Sequence, residues 1–158
     1  MADIVVRIQS DPFDLNEESA HMTGSDHPNV GALVTFTGYC RDEDGALSGL
    51  ELDHYSGMAE NEITRIAHDA QKRWPLDGVT VIHRYGTLAP GQPIVLVAAS
   101  SRHRKAAFKA AEFIMDFLKN RAPFWKKEHH ADGSSGTWVD AKEADDEALQ
   151  RWENNNSE

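Results

Sequence analysis

The alternation of apolar and polar residues changes period several times along the 158-residue chain, and each change marks an element. Asp3–Ser10 (DIVVRIQS) reads as a strand, followed by the turn-forming pair Asp11-Pro12. Val30–Cys40 (VGALVTFTGYC) is rich in β-branched and aromatic residues and reads as a second strand. It runs into a polar loop, Arg41–Ser48, with Gly45 as the turn residue. In Gly49–Tyr55 the residues Leu50, Leu52 and His54 alternate with Glu51, Asp53 and Tyr55, the period-two pattern of a half-buried strand. These two segments are expected to form a hairpin that presents Arg41 near its end. Met58–Trp74 switches to helical spacing through Ile63, Ile66, Ala67, Ala70 and Trp74, and Pro75 follows its end. Val79–Tyr85 and Ile94–Ala99 predict two more strands, with Pro90-Gly91 in the turn between them. Ser100-Ser101 offers an N-cap for a long helix through about Lys119, stopped before Pro123. Beyond Phe124–His130 and a loop at Ala131–Gly136, Thr137–Asp140 predicts a short strand, Ala144–Trp152 a short helix, and Asn154–Glu158 a frayed end. Mixed strand order with two substantial helices gives an α+β domain.

The long helix carries more than a core face. Ala106, Ala110, Phe113, Ile114 and Phe117 form its apolar stripe, with Lys105, Lys109, Glu112 and Asp116 roughly opposite. Between these faces Arg104, Phe108, Ala111, Met115 and Lys119 share a narrow arc, because their spacings are near-integral turns. Cations stand at both ends of the arc with softer apolar groups between them. That wall suits a flat, partly apolar ligand with an anionic group, and equally a flank whose long side chains reach past a neighbouring element. After the helix, Arg121, Lys126 and Lys127 bracket Ala122-Pro123-Phe124-Trp125, and the rigid turn should bring Lys126 back close to Lys119. Paired ammonium groups set against aromatic rings depress one another's pKa, which can make a nucleophile or base of one and an anion-stabiliser of the other. Lysines that merely complement the negative end of a helix dipole give the same pattern.

Charge sharpens this picture. The formal charge is −10, yet Arg102–Lys127 holds eight of the sixteen basic residues, with Glu112 and Asp116 its only acids. A cationic island in an acidic chain points to a site for a small anion, with a solvated helix face as the alternative, and away from nucleic acid, which requires a broad basic surface. No window approaches a membrane span and no basic-then-apolar leader begins the chain, so a soluble cytoplasmic protein is expected. The single cysteine, Cys40, excludes an internal disulfide or a cysteine-based metal cluster, and it reads as a small buried strand residue more readily than as a thiolate. His129-His130 lacks the spacing of a zinc site, and no metal is expected. His54 and His83 read as satisfied core or edge residues, whereas His103 adjoins Arg104 in the cationic region. No glycine-rich nucleotide loop occurs.

Several of these segments resemble one family. Gly31–Gly38 (GALVTFTG) followed by Arg41, Leu52–Tyr55 (LDHY) with Met58-Ala59, and Val81–Arg84 (VIHR) with Gly86 are in register with it. The most specific stretch runs Ser101–Arg104 (SRHR), Phe113–Asp116 (FIMD), Leu118-Lys119 and Arg121–Glu128 (RAPFWKKE). Together they are similar to the catalytic, large subunits of molybdopterin synthase, the MoaE family, from about residue 3 to about residue 142. The resemblance implies an α/β hammerhead core with an additional antiparallel β-subdomain over 1–142, leaving 143–158 as an acidic tail, partly helical and then frayed. It implies a homodimer within a heterotetramer. The partner is a small ubiquitin-like sulfur carrier whose Gly-Gly thiocarboxylate tail enters a pocket with two lysines, matched here by Lys119 and Lys126. The substrate it implies is cyclic pyranopterin monophosphate, and two sulfur transfers yield the dithiolene of molybdopterin. Arg41, His103 and Arg104 match the anion- and pterin-binding positions, with Phe36 and Met115 lining the pocket. Lys142 stands where the family has an arginine, and its loss of the bidentate fork weakens the expected phosphate contact. Sulfur arrives on the partner, so no cofactor is expected. Two rivals remain at this point: a non-catalytic binder of a ubiquitin-like tail or phosphorylated metabolite, and an RNA-binding α+β domain, against which the acidic remainder speaks.

Overall fold

The computed structural model describes residues 3–139 and Trp152. Its elements are β1 (Asp3–Gln9), α1 (Leu15–Ala20), β2 (Ala32–Tyr39), β3 (Leu47–His54), α2 (Met58–Arg73), β4 (Gly78–Arg84), β5 (Gly86–Leu88), β6 (Pro93–Ser101), α3 (Arg104–Asn120) and β7 (Phe124–His130). The near-continuous apolar runs of β4 and β6 place them at the centre of a four-stranded sheet ordered β1-β4-β6-β2. β1 is parallel to β4, from Asp3 opposite Gly78 to Gln9 opposite Arg84, and the other two pairings are antiparallel. β3 forms the centre of a second, fully antiparallel sheet ordered β5-β3-β7, standing where an additional β-subdomain is expected. The α+β class read from the sequence is the class observed.

The period-3.6 stripes of both long helices cover the larger sheet. Ile63, Ile66, Ala67 and Ala70 of α2 and Ala106, Ala110, Phe113, Ile114 and Phe117 of α3 pack with Val79, Val81, Val97 and Ala99. Trp152 joins this core, its ring edge-on to Trp74 and to Phe113 with centroids 5.8 and 5.7 Å away. Its indole N–H donates to an Asp116 carboxylate oxygen, and the Arg73 guanidinium donates to its carbonyl at 3.3 Å. The rest of the expected Ala144–Trp152 helix lies outside the described residues, as does Asn154–Glu158.

Three expectations need correction. β2 and β3 form no hairpin: β2 pairs with β6, and β3 pairs with β5 and β7. The intervening loop turns through Glu43, Asp44 and Gly45, all at positive φ, and closes on itself through Leu47 N–H to Asp42 O at 2.8 Å. The chain leaves one sheet there for the other, since the apolar run of β6 is a better partner for β2 than the half-polar β3. The N-cap of α3 is His103, without a side-chain cap bond, because Ser100 and Ser101 are the last residues of β6. Ser101 Oγ instead donates to Pro75 O at 2.6 Å and accepts the His103 N–H at 3.3 Å. The strand expected from Thr137 is reduced, among the described residues, to single bridges at Ser135 and Val139.

Candidate active site

Helix α3 ends where the chain must reverse. The Arg121 N–H donates to Phe117 O at 2.7 Å and the Phe124 N–H to Ala122 O at 2.8 Å, with Pro123 stiffening the bend. The reversal returns the chain as β7, alongside β3. In that register Phe124 lies opposite His54 and Lys126 opposite Leu52. On its other side the Lys126 backbone exchanges two hydrogen bonds with Val139, at 3.2 and 2.8 Å. Strand periodicity thus fixes which way Lys126 faces.

It faces a cavity of about 220 Å³ walled by both sheets and the end of α3. Phe36, Gly38 and Tyr39 of β2, His83 of β4, and Ile94 and Val95 of β6 contribute from one sheet. Leu50 and Leu52 of β3 and Phe124, Trp125 and Lys126 of β7 contribute from the other. Met115, Leu118, Lys119 and Asn120 close it from the helix. Four residues singled out from the sequence, Lys119, Lys126, Phe36 and Met115, therefore meet in one place. Lys126 is half-buried, and Lys119 is exposed on the last turn of the helix. Two cations over apolar walls make a receptor for an anionic group attached to a flat or extended apolar body.

His83 is a wall residue that sequence reasoning passed over as a core histidine. Its ring stacks on Phe124 with centroids 3.8 Å apart and planes 18° apart, and its Nδ1 lies 2.8 Å from Arg84 O. Burial pushes its pKa down to about 4, the Arg84 carbonyl opposes that fall, and the charges of His54 and Lys119 add to it. The signal was the period of β4, which puts His83 on the same side as Val81 and Val79. His54, tilted against Tyr85 at 4.8 Å, is not the satisfied histidine expected: its Nδ1 is buried without a hydrogen-bond partner.

The remaining predicted residues stand elsewhere. Arg41 is exposed on the loop after β2, paired with Glu43 at 2.8 Å, beside Asp42, Asp44, Pro90 and Gly91. His103 and Arg104 are exposed at the start of α3, and Arg104 precedes Lys119 by fifteen residues, about 22 Å of helix. That end is held by Gly31, whose N–H donates to Ser101 O at 3.0 Å and where a Cβ would lie 2.2 Å from Arg102 O. Lys142 lies outside the described residues. Cys40 is buried, and burial, followed by the Glu43 charge, pushes its thiol pKa up, so it is no thiolate. Both ring nitrogens of His129 are engaged, with Glu51 at 3.0 Å and Ser135 at 3.1 Å. No helix among the described residues is long and apolar enough to cross a membrane.

Comparison with known proteins agrees with this geometry. The family model described as MoaE protein matches residues 8–121. A molybdopterin synthase catalytic subunit of Mesorhizobium japonicum is 62% identical over 147 residues, covering 93% of this chain and 92% of the relative. The solved molybdopterin biosynthesis MoaE protein of Burkholderia ambifaria is 47% identical, with a TM-score of 0.81 and coverage of 97% and 99%. A complex of subunits 1 and 2 of the molybdopterin-converting factor of Helicobacter pylori contains a chain 25% identical with a TM-score of 0.70, covering 87% of this chain and 90% of that one. The chain belongs to the MoaE family, the catalytic subunits of molybdopterin synthase.

Proposed function

We propose that this chain transfers sulfur from the C-terminal thiocarboxylate of a small ubiquitin-like carrier to cyclic pyranopterin monophosphate, forming the dithiolene of molybdopterin in the cytoplasm. The observation that carries this reading is the convergence of Lys119 and Lys126 on one apolar-walled cavity, in a chain of this family. An extended Gly-Gly tail has no side chains to exclude it from such a space. Each transfer forms a bond from sulfur to a substrate carbon, and hydrolysis of the acyl–sulfur link frees the carrier as a carboxylate. Negative charge therefore collects where the two ammonium groups stand. Lys119 is the main catalytic group, positioning the acyl-sulfur intermediate and moving protons, and Lys126 holds the anion. Phe36 and Met115 pack the pterin.

Arg41, His103, Arg104 and Lys142 are assigned to the pterin and its phosphate. Within one chain Arg104 is about 22 Å of helix from Lys119, so these two reach one substrate only if the second copy of a homodimer supplies the arginine. The working assembly is then that homodimer flanked by two carriers.

The test is reconstitution with thiocarboxylated carrier and cyclic pyranopterin monophosphate, followed by fluorescence of the oxidised product. Product from the wild-type chain and little from Lys119→Ala supports both reaction and residue. Product from both variants keeps the reaction and removes Lys119 as its essential group. Carrier binding without product favours a binding module, which would also tolerate Lys119→Arg.

A further inference from the structure

The cavity wall also carries a histidine whose orientation is fixed at two points. The Phe124 stack sets the plane of the His83 ring, and the bond to Arg84 O sets its rotation. A carbonyl oxygen only accepts, so Nδ1 carries the proton of the neutral imidazole and Nε2 keeps its lone pair. Among the described residues nothing bonds to Nε2. The ring lines the same cavity as Lys119, and it is close enough for the Lys119 charge to act on its titration. A histidine pushed down to about 4 stays neutral near pH 7, so it offers a lone pair beside two cations without becoming a third.

We propose that His83 is a positioning residue: its Nε2, unbonded among the described residues, accepts a hydrogen bond from the Lys119 ammonium when that long side chain turns into the cavity, and so holds it there. An exposed lysine at a helix end samples many rotamers, and an acceptor fixed on a central strand selects those pointing inward. The effect on turnover rests on the proposed sulfur transfer, whereas the hydrogen bond does not.

The test has two arms. Nitrogen-15 spectra of the histidine-labelled chain resolve Nε2 of His83 in the wild type, Lys119→Met and Lys126→Met. A move of several parts per million with Lys119→Met alone is expected. No move with Lys119→Met, or an equal move with Lys126→Met, overturns the pairing. In the reconstituted reaction His83→Asn keeps a donor for Arg84 O but loses the acceptor, whereas the longer amide of His83→Gln extends toward the Nε2 position. The expected result is a fall in kcat of about ten- to a hundred-fold in His83→Asn with KM for carrier and pterin nearly unchanged, partly restored in His83→Gln. Unchanged kcat in folded His83→Asn overturns the positioning role. A wild type that binds carrier without forming product defeats the sulfur-transfer reading, and the spectra still decide whether His83 holds Lys119.

Discussion

At its C-terminal end α3 delivers Met115, Leu118 and Lys119 into a cavity walled by two sheets, whereas at its N-terminal end it leaves His103, Arg104 and Phe108 in solvent. The two ends also differ in the field they supply. Lys119 opposes the negative end of the helix dipole, while Arg104 and Lys105 stand at the positive end, with no acidic residue in the first turn to offset them. The first arrangement suits a cation that must be aimed and used, and the second suits an anion that must be caught. On the proposed assignment one helix carries two half-sites of different character, and a single chain joins only one of them to a pocket.

The comparison breaks most severely at Lys119. Lys119→Ala is expected to lower kcat by about three orders of magnitude in single-turnover reconstitution while carrier binding persists. Trp152→Ala strikes the helix between its ends, where the indole packs on Phe113 and bonds Asp116. A loss of about 3 kcal/mol in urea unfolding is expected, with the residual folded protein still able to bind carrier. His83 sharpens the contrast through pH. Its imidazole is held near 4 in the folded state against 6.5 for the free group, so between those values the unfolded chain binds the extra proton. The His83 contribution to stability should therefore be constant above about pH 6.5 and fall by roughly 2 to 3 kcal/mol as pH drops toward 4, the part of the slope that denaturant titrations of His83→Gln should lack.

At the open end of the helix, Arg104→Ala should raise KM for the pterin about ten-fold with kcat little altered, the signature of lost anion binding. Dimers mixed from Lys119→Ala and Arg104→Ala chains should then recover part of the wild-type rate, because one of their two sites carries neither change. The smallest effect belongs to the exposed Arg41–Glu43 pair. Glu43→Gln should change the melting free energy by less than about 1 kcal/mol, since a surface ion pair is screened on all sides.

The legible parts of the molecule were those whose information is local. The stripe from Ala106 to Phe117 and the reversal through Pro123 follow from spacing and backbone chemistry, and they sufficed to bring Lys119 and Lys126 together. Strand pairing is not local, and the β2–β3 hairpin failed because two adjacent strands found better partners far along the chain, β6 and β7. His83 was hidden for a related reason. Its alternation marks it as inward-facing, but only the closure of the second sheet over it turns an interior position into a cavity wall. The three-residue β5 carries too little pattern to read, and Trp152 sits in a stretch whose sequence does not reveal where its ring packs.

The bridge that pairs Lys126 with Val139 has a consequence for synthesis of the chain. The cavity draws on positions from Phe36 to Val139, so its contacts are among the most distant in sequence. Such contacts cost the most loop-closure entropy and form late. A chain emerging from the ribosome shows α3 and its lysine only a few residues before β7, but the last wall, at Val139, follows Lys119 by twenty residues. The cavity is therefore closed last, and an interrupted chain displays Lys119 and Lys126 without the chamber around them.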